Sequence, residues 1–346
     1  MANIETFGWI SLTEAVNKIQ TPKSFILDTV FRPKERQHLT NKIQIAVKVG
    51  NKKLAPFVQR SSPAAVVEKL NAQAQFVELP RIRLKKPFTG SELLFQQDGS
   101  LPVYVGGAGD ISSFREKKIG EELQDLKDRI TRRTEWMAAK ALQGAITVSQ
   151  DGLSLSYDFL MPTANKPALT GTAKWDDAAN CDPIANIRAW QVVSQNASGK
   201  IPTMAIARTE TINKLLASTK AKDYLNNRRM VVGDINTNKV ANEFGVKFIG
   251  NIEGVDIYEY NESYTDESGN TQPMVPANAF LMVSPNAENR LHYGAIEDLE
   301  AGQNIAMPFF AKDWIEKDPS VYWLLVESSP LPVPHEPEAL IFATVY

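Results

Sequence analysis

SSFREKKIGEELQDLKDRITRRTEWMAAKALQG, residues Ser112 to Gly144, is the stretch on which the fold turns. Ser113 with Glu116 three residues later has the spacing of a capping box, in which two side chains satisfy orphan amides of a helix's first turn. Gly144 supplies a left-handed stop. Between them Ile119, Leu123, Leu126, Ile130, Met137 and Ala141 recur at spacings of three, four or seven, which places them on one narrow stripe. Most of the remaining circumference is charged. Asp125 with Arg129 and Asp128 with Arg132 are acid-before-base pairs four residues apart, each worth a few tenths of a kcal/mol. Gly120 interrupts this consistency, at about 1 kcal/mol relative to alanine. A helix over 113–143 is roughly 45 Å long at 1.5 Å per residue, comparable with the diameter of a small domain. Its narrow stripe predicts a strut that no core of its own wraps.

Upstream, KIQIAVKV from Lys42 and AQFVELPRIRLKKPF, Ala74 to Phe88, alternate with period two and predict an extended hairpin with a long tip. Within it RIRLKK sets Arg81, Arg83 and Lys85 on one strand face, opposite Ile82 and Leu84. Residues 1–40 lack a clear apolar face, are broken by Pro22 and Pro33, and read as an arm. LPVYVGGAGD reads as a turn into the long helix. Downstream, AITVSQDGLSLSYDF predicts a hairpin turning at Gln150-Asp151-Gly152. Pro183 and Gly199 bracket a helix. IPTMAIARTETINKLLAS then reads as a strand and a helix opened by Thr209. A helical pattern in TNKVANEFG and strands around VKFIG, VDIYEY and FLMVS complete a compact α/β unit. NESYTDESGNTQPMVP is a polar hairpin tip. The last part holds two strands apolar almost throughout, separated by a proline-rich run, and predicts a terminus that closes a sheet.

The chain has 346 residues, 43% hydrophobic and 23% charged, which excludes disordered and fibrous classes and allows two cores. The formal net charge of −2 provides no global basic field to hold nucleic acid. One cysteine, Cys181, permits neither an internal disulfide nor a thiolate cage, in keeping with a reducing cytoplasm. No basic and apolar leader and no run of 18 apolar residues points to export or to a membrane span.

Catalytic constellations are equally sparse. The three histidines, His38, His292 and His335, lie in different segments, and there is no G-x-S-x-G. Cys181 reads as a small apolar residue near a helix start. GGAGD lacks dinucleotide and P-loop spacing, and SGK at Ser198–Lys200 lacks the partner glycine. TDESGN does not follow an EF-hand and is the composition of a turn. The basic run of Arg81, Arg83, Lys85 and Lys86 lacks aromatic residues for base stacking. Pairing with a neighbouring subunit's carboxylates, or plain solvation, outweighs nucleic acid there. The expectation is a protein that is not an enzyme and has no cofactor or metal.

Four blocks in one order resemble the major capsid proteins of lambda-like tailed phages, the lambda gene E family. They are DRITRRTEWMAAKALQG with ITVSQDG; KWDDAANCDPIANI; VDIYEYNESYTDESGNTQPMVPANAFLMVSP with NRLHYGAIED; and DWIEKDPSVYWLLVESSPLPVPHEPEALIFATV. Together they run from about residue 80 to the end. Asn186 departs from the family, whose members often have an acid after Asp-Pro.

The resemblance implies an α+β, HK97-like phage capsid fold. In it residues 1–40 are an N-terminal arm, 41–89 an E-loop hairpin, and 90–185 a peripheral domain with a spine helix over 113–143. Residues 186–309 are then an axial domain, and 310–346 return to the peripheral domain. It implies a head protein of hexamers and pentamers enclosing double-stranded DNA, assembled in the bacterial cytoplasm and resident in the virion. The implied partners are further copies of itself, a scaffolding protein, a portal and a decoration protein, with the DNA held weakly, without sequence specificity, and no membrane. Gly120 is the expected hinge of the spine helix, and Arg81, Arg83, Lys85 and Lys86 are the expected subunit-interface residues. The alternatives are an encapsulin-like compartment shell and, from another class, a soluble α/β enzyme or ligand-binding protein.

Overall fold

A computed structural model describes residues 7–20, 24–48, 72–89, 108–150, 153–229, 245–266, 268–301, 305–318 and 320–346. Helix α1 (Trp9–Lys18) precedes a π-helical turn, Leu27–Phe31, and the short strand β1 (Arg36–Gln37). Strands β2 (Lys42–Lys48) and β3 (Ala72–Glu78) pair antiparallel, and β4 (Ile82–Thr89) follows. The long helix α2 (Ala108–Ala141) leads into the hairpin of β5 (Ala145–Gln150) and β6 (Leu153–Asp158). Next come α3 (Pro183–Ser198), β7 (Met204–Ala207), α4 (Thr209–Ala217) and α5 (Thr219–Arg229). Strands β8 (Lys247–Ile252) and β9 (Val255–Glu259) precede the small hairpin of β10 (Ser263–Thr265) and β11 (Thr271–Pro273). The chain continues through β12 (Ala279–Val283), β13 (Asn289–Tyr293), β14 (Ala295–Ile296) and β15 (Ile305–Ala306). It ends with β16 (Phe310–Lys317), β17 (Ser320–Ser328), β18 (Pro330–Pro334) and β19 (Leu340–Thr344).

Two sheets organise the cores. The first has the order β19-β12-β7-β9-β8, with only β7 and β9 parallel, as expected when α4 and α5 make the crossover between them. Alternation along its strands sends Ala205, Phe280 and Met282 toward the helix residues Ile187, Trp190 and Leu215. Ile206, Leu281 and Val283 face instead a core shared with the end of α2. The second sheet has the order β16-β17-β4. Its inner face, Phe88, Tyr322, Leu324 and Val326, packs on Ile119, Leu123, Leu126 and Ile130 of α2 and on Leu12 and Val16 of α1.

The predicted stripe of α2 is buried throughout, and α3 runs between Pro183 and a left-handed Gly199 as its signals require. Elsewhere the structure corrects the reading. Helix α2 already runs from Ala108, so Ser113 and Glu116 lie inside it rather than at its start. Its second half is no exposed strut, because Trp136, Ala138 and Ala139 are also buried. The described part of the supposed arm is core, with Ile26 and Phe31 fully buried.

The hairpin ends at Glu78. Pro80 cannot donate to a ladder, and the chain crosses to another sheet, where Ile82–Ser328 through Thr89–Val321 pair β4 with β17. RIRLKK is therefore not part of the hairpin. The proline-rich run is itself a strand, β18, at the edge of a sheet with the order β1-β13-β18. Pro330, Pro332 and Pro334 alternate, so their missing N–H groups all fall on one side while Leu331 and Val333 keep theirs. The final strand, β19, pairs with β12 and closes the five-stranded sheet rather than the sheet beside the long helix. The helical pattern in TNKVANEFG, apart from Gly245, and the turn residues Asp151 and Gly152 lie outside the described residues.

Gly144, just past α2, has φ +95°, and a Cβ there would sit 2.8 Å from Lys166 Cε and 3.0 Å from Met161 Cβ. Gly144→Ala is expected to lower stability by about 1–3 kcal/mol, measured by urea unfolding.

Candidate assembly site

Two buried charges on α2 hold the N-terminal segment. The Lys127 ammonium, on a residue only 2% exposed, donates to the carbonyls of Val16 and Ile19 at 2.6 Å each. These are orphan carbonyls at the end of α1, where the helix dipole favours a cation. Burial pushes the Lys127 pKa down to about 8, so the side chain remains charged at neutral pH. Eight residues on, the Glu135 carboxylate accepts from the amides of Ile26 at 2.9 Å and Leu27 at 2.8 Å, and from the Tyr260 hydroxyl at 2.8 Å. Those amides open the helical turn that begins at Phe25 and have no partner within it. Burial raises the Glu135 pKa to about 7 against the opposing pull of these three hydrogen bonds. A signal for both was present: neither Lys127 nor Glu135 has an opposite charge four residues away on α2.

The basic strand forms a second constellation. Register places Arg83 opposite Glu327, whose side chain is 2% exposed. Arg81 grips that carboxylate with Nε at 2.7 Å and Nη2 at 2.9 Å, and Arg83 Nε lies 3.1 Å from it. Arg83 Nη2 also reaches Asp298 at 2.9 Å, and Lys312 Nζ reaches the same carboxylate at 2.9 Å. Burial opposes charge on Asp298, but the Lys312 hydrogen bond and the Arg83 charge prevail and hold its pKa below the usual carboxylate range. The same alternation turns Lys86 inward to Glu122, at 2.5 Å, and to Asp125 on α2. Asp125 also receives the predicted bond from Arg129, at 2.9 Å. Lys85 projects from the outer face, 4.3 Å above the Trp323 ring. All four predicted interface residues thus have partners within their own chain. Arg81 and Arg83 also border an open groove of about 850 Å³ beside α2, whose walls include Trp136 and the exposed Arg132.

Gly120 lies within an unbroken helix, and a Cβ there would meet open space. Cys181 is buried and unbridged. Among the described residues no group of three or more His, Cys, Asp or Glu is placed to hold a metal, and no helix is long and apolar enough to cross a membrane. Of the TDESGN stretch, all but Glu267 is described, and Asp266 accepts from the Asn270 amide at 2.8 Å between β10 and β11.

Glu135→Gln puts an amide NH2 against one backbone donor and should reduce stability by about 1–3 kcal/mol at neutral pH. The Glu135 pKa is raised on folding, so the native state holds the extra proton. Relative to the variant, the wild type should lose stability as pH rises from about 4.5 through about 7, read from denaturant midpoints at each pH.

The model of the family described as phage major capsid protein E matches residues 8–345. Among solved structures, a putative capsid protein of an Escherichia coli CFT073 prophage superposes with TM-score 0.74 at 18% identity, covering 99% of this chain and 100% of its own. A phage-related protein of Bordetella bronchiseptica RB50 superposes with TM-score 0.52 at 10% identity, over 96% and 94% of the two chains. The capsid of Ralstonia phage GP4 gives TM-score 0.50 at 12% identity, over 94% and 91%. No curated protein sequence matches significantly. With its strands, its long helix and all but the extreme ends of its sequence matched, the chain belongs to the phage major capsid protein E family.

Proposed function

We propose that this chain is the major head protein of a phage, assembling with copies of itself into hexamers and pentamers of an icosahedral shell around double-stranded DNA. The observation that carries this reading is the family match over residues 8–345. It is supported by the superposition of nearly the whole chain on a putative prophage capsid protein. Repeated heterologous contacts around symmetry axes close such a shell, and each copy is held by several interfaces at once. The near-neutral chain confines DNA without gripping it. Scaffolding protein, portal and decoration protein are the further partners of this reading, and the virion is its location.

Within it, the hairpin of β2 and β3 corresponds to the E-loop, α2 with the β16-β17-β4 sheet to the peripheral domain, and the five-stranded sheet with its helices to the axial domain. Arg81, Arg83 and Lys86 act at interfaces by fixing β4 to its own chain. Lys85 and the arginine-rich groove face a neighbouring copy. Gly120 is the bend of the spine helix: no neighbour requires a glycine there, so its helix penalty is retained for flexibility.

Electron microscopy of the purified protein should show closed particles or rings of five and six copies; a monomer at every concentration would overturn the reading. Arg132→Glu should reduce particle yield several-fold while leaving the thermal unfolding of the unassembled chain within about 0.5 kcal/mol of wild type. Gly120→Ala should stabilise the unassembled chain by about 1 kcal/mol and slow any change of particle diameter, followed by light scattering.

A further inference from the structure

One apolar side chain of this structure is displayed rather than packed. Leu299, in the loop between β14 and β15, is wholly exposed. A lone exposed leucine is ordinary on a protein surface, and it is the setting of this one that sets it apart. The Asp298 carboxylate beside it is held by Arg83 and Lys312, each at 2.9 Å, and accepts from the Glu300 amide at 3.1 Å. The Ala301 amide donates to the Asp298 carbonyl at 3.2 Å, and Arg81 Nη2 donates to the Glu297 carbonyl at 2.9 Å. The backbone is therefore fixed on both sides of Leu299, which leaves little conformational freedom for a partner to remove.

The charge around that side chain has one sign. Among the exposed large apolar side chains of the described residues, Leu299 alone sits between two acidic residues, in the run Glu297-Asp298-Leu299-Glu300. Glu297 and Glu300 are exposed with it. The turn thus presents an apolar tip with a carboxylate on either side.

The opposite pattern lines the groove of about 850 Å³ between β4 and α2. Its apolar part includes Met137, Leu155 and Tyr264, with Trp136 edge-on to Tyr264 at a centroid distance of 6.2 Å. Arg81 and Arg83 border it but are engaged by Glu327 and Asp298. The remaining lining carries Arg129, Arg132 and Arg133 against Asp125 and Glu262, and Asp125 is shared with Lys86. Trp136 and Met137 are buried whereas Arg129 and Arg132 are exposed, so the groove is apolar at its floor and basic at its rim. The chain does not make this match with itself. Arg81 and Arg83 touch both features, yet Leu299 faces solvent.

We propose that the 297–300 turn of one copy docks in the groove between β4 and α2 of a second copy, with Leu299 on the apolar floor and Glu297 and Glu300 against the rim arginines Arg129 and Arg132. The buried leucine supplies affinity, because its whole side chain leaves water. The rim pairs fix orientation and speed encounter, and being exposed they weaken with salt. Turn and groove are different surfaces, so each copy offers one of each and the contact repeats from copy to copy. The inference deepens the shell reading and rests on it for the presence of a second copy at this face.

The test joins the two surfaces chemically. Full chains carrying Leu299→Cys are mixed with full chains carrying Leu155→Cys, treated with a short bismaleimide and resolved by denaturing electrophoresis, with electron microscopy of the same samples. Tyr264→Cys replaces Leu155→Cys should the latter fail to fold. Cross-linked dimers should exceed by at least about tenfold those from Leu299→Cys mixed with Val192→Cys, an exposed position on α3, because docking holds the paired thiols at a high effective concentration. Leu299→Ala should lower particle yield about tenfold, the loss expected of one anchoring side chain, and leave the thermal unfolding of the unassembled chain unchanged. Particles that form without the cross-link, or as well with Leu299→Ala as with the wild type, overturn the docking and leave the shell reading standing. A chain that stays monomeric throughout overturns both.

Discussion

Everything in this chain leans on how α2 is held along its length, and two buried ionisable side chains do that holding. A lysine and a glutamate taken from water cost several kcal/mol each unless their hydrogen-bonding capacity is met. Here each is met by backbone at a helix end: carbonyls at the close of α1 for Lys127, amides at the opening of the Phe25 turn for Glu135. The geometry is polar at its centre and apolar around it, with Val16, Ile26, Leu27 and Phe31 buried beside the two charges. A residue 127 turned elsewhere would leave the Val16 and Ile19 carbonyls without their charged donor, and the α2 surface it covers would be exposed.

That arrangement explains why one helix serves two cores. Its first half meets the β16-β17-β4 sheet along a narrow stripe, and its second half enters the core under the five-stranded sheet, where small residues such as Ala138 and Ala139 permit close approach. Rigid continuity between those cores is what a shell subunit needs if a load on one part is to be felt by the other. The charge network around Glu327 and Asp298 adds a complementary constraint, fixing β4 against β17 so that the chain beyond the hairpin cannot slip by a residue.

Much of this was legible one element at a time. The stripe from Ile119 to Ala141 follows from helical period, the bounds of α3 from Pro183 and Gly199, and the β5–β6 pairing from alternation around a short turn. Those signals are local, because backbone geometry and capping chemistry act within a few residues. What was not legible depended on partners far away in sequence. RIRLKK looks the same whether its arginines face a neighbour or Glu327, more than 240 residues on. Pro22 and Pro33 break a pattern equally well in an arm or in a buried segment. The histidines are scattered until β1, β13 and β18 are laid side by side.

The sequence by itself determined the class of protein, the long helix and its apolar face, and the α/β unit, since composition and periodicity report burial and local geometry. Only the tertiary structure decided which strands share a sheet, that the described residues before position 40 contribute to the core, and that charges read as outward are satisfied within the chain. Those are choices among long-range partners whose local sequences are equally compatible with several, and burial energy selects between them only once the whole chain is packed.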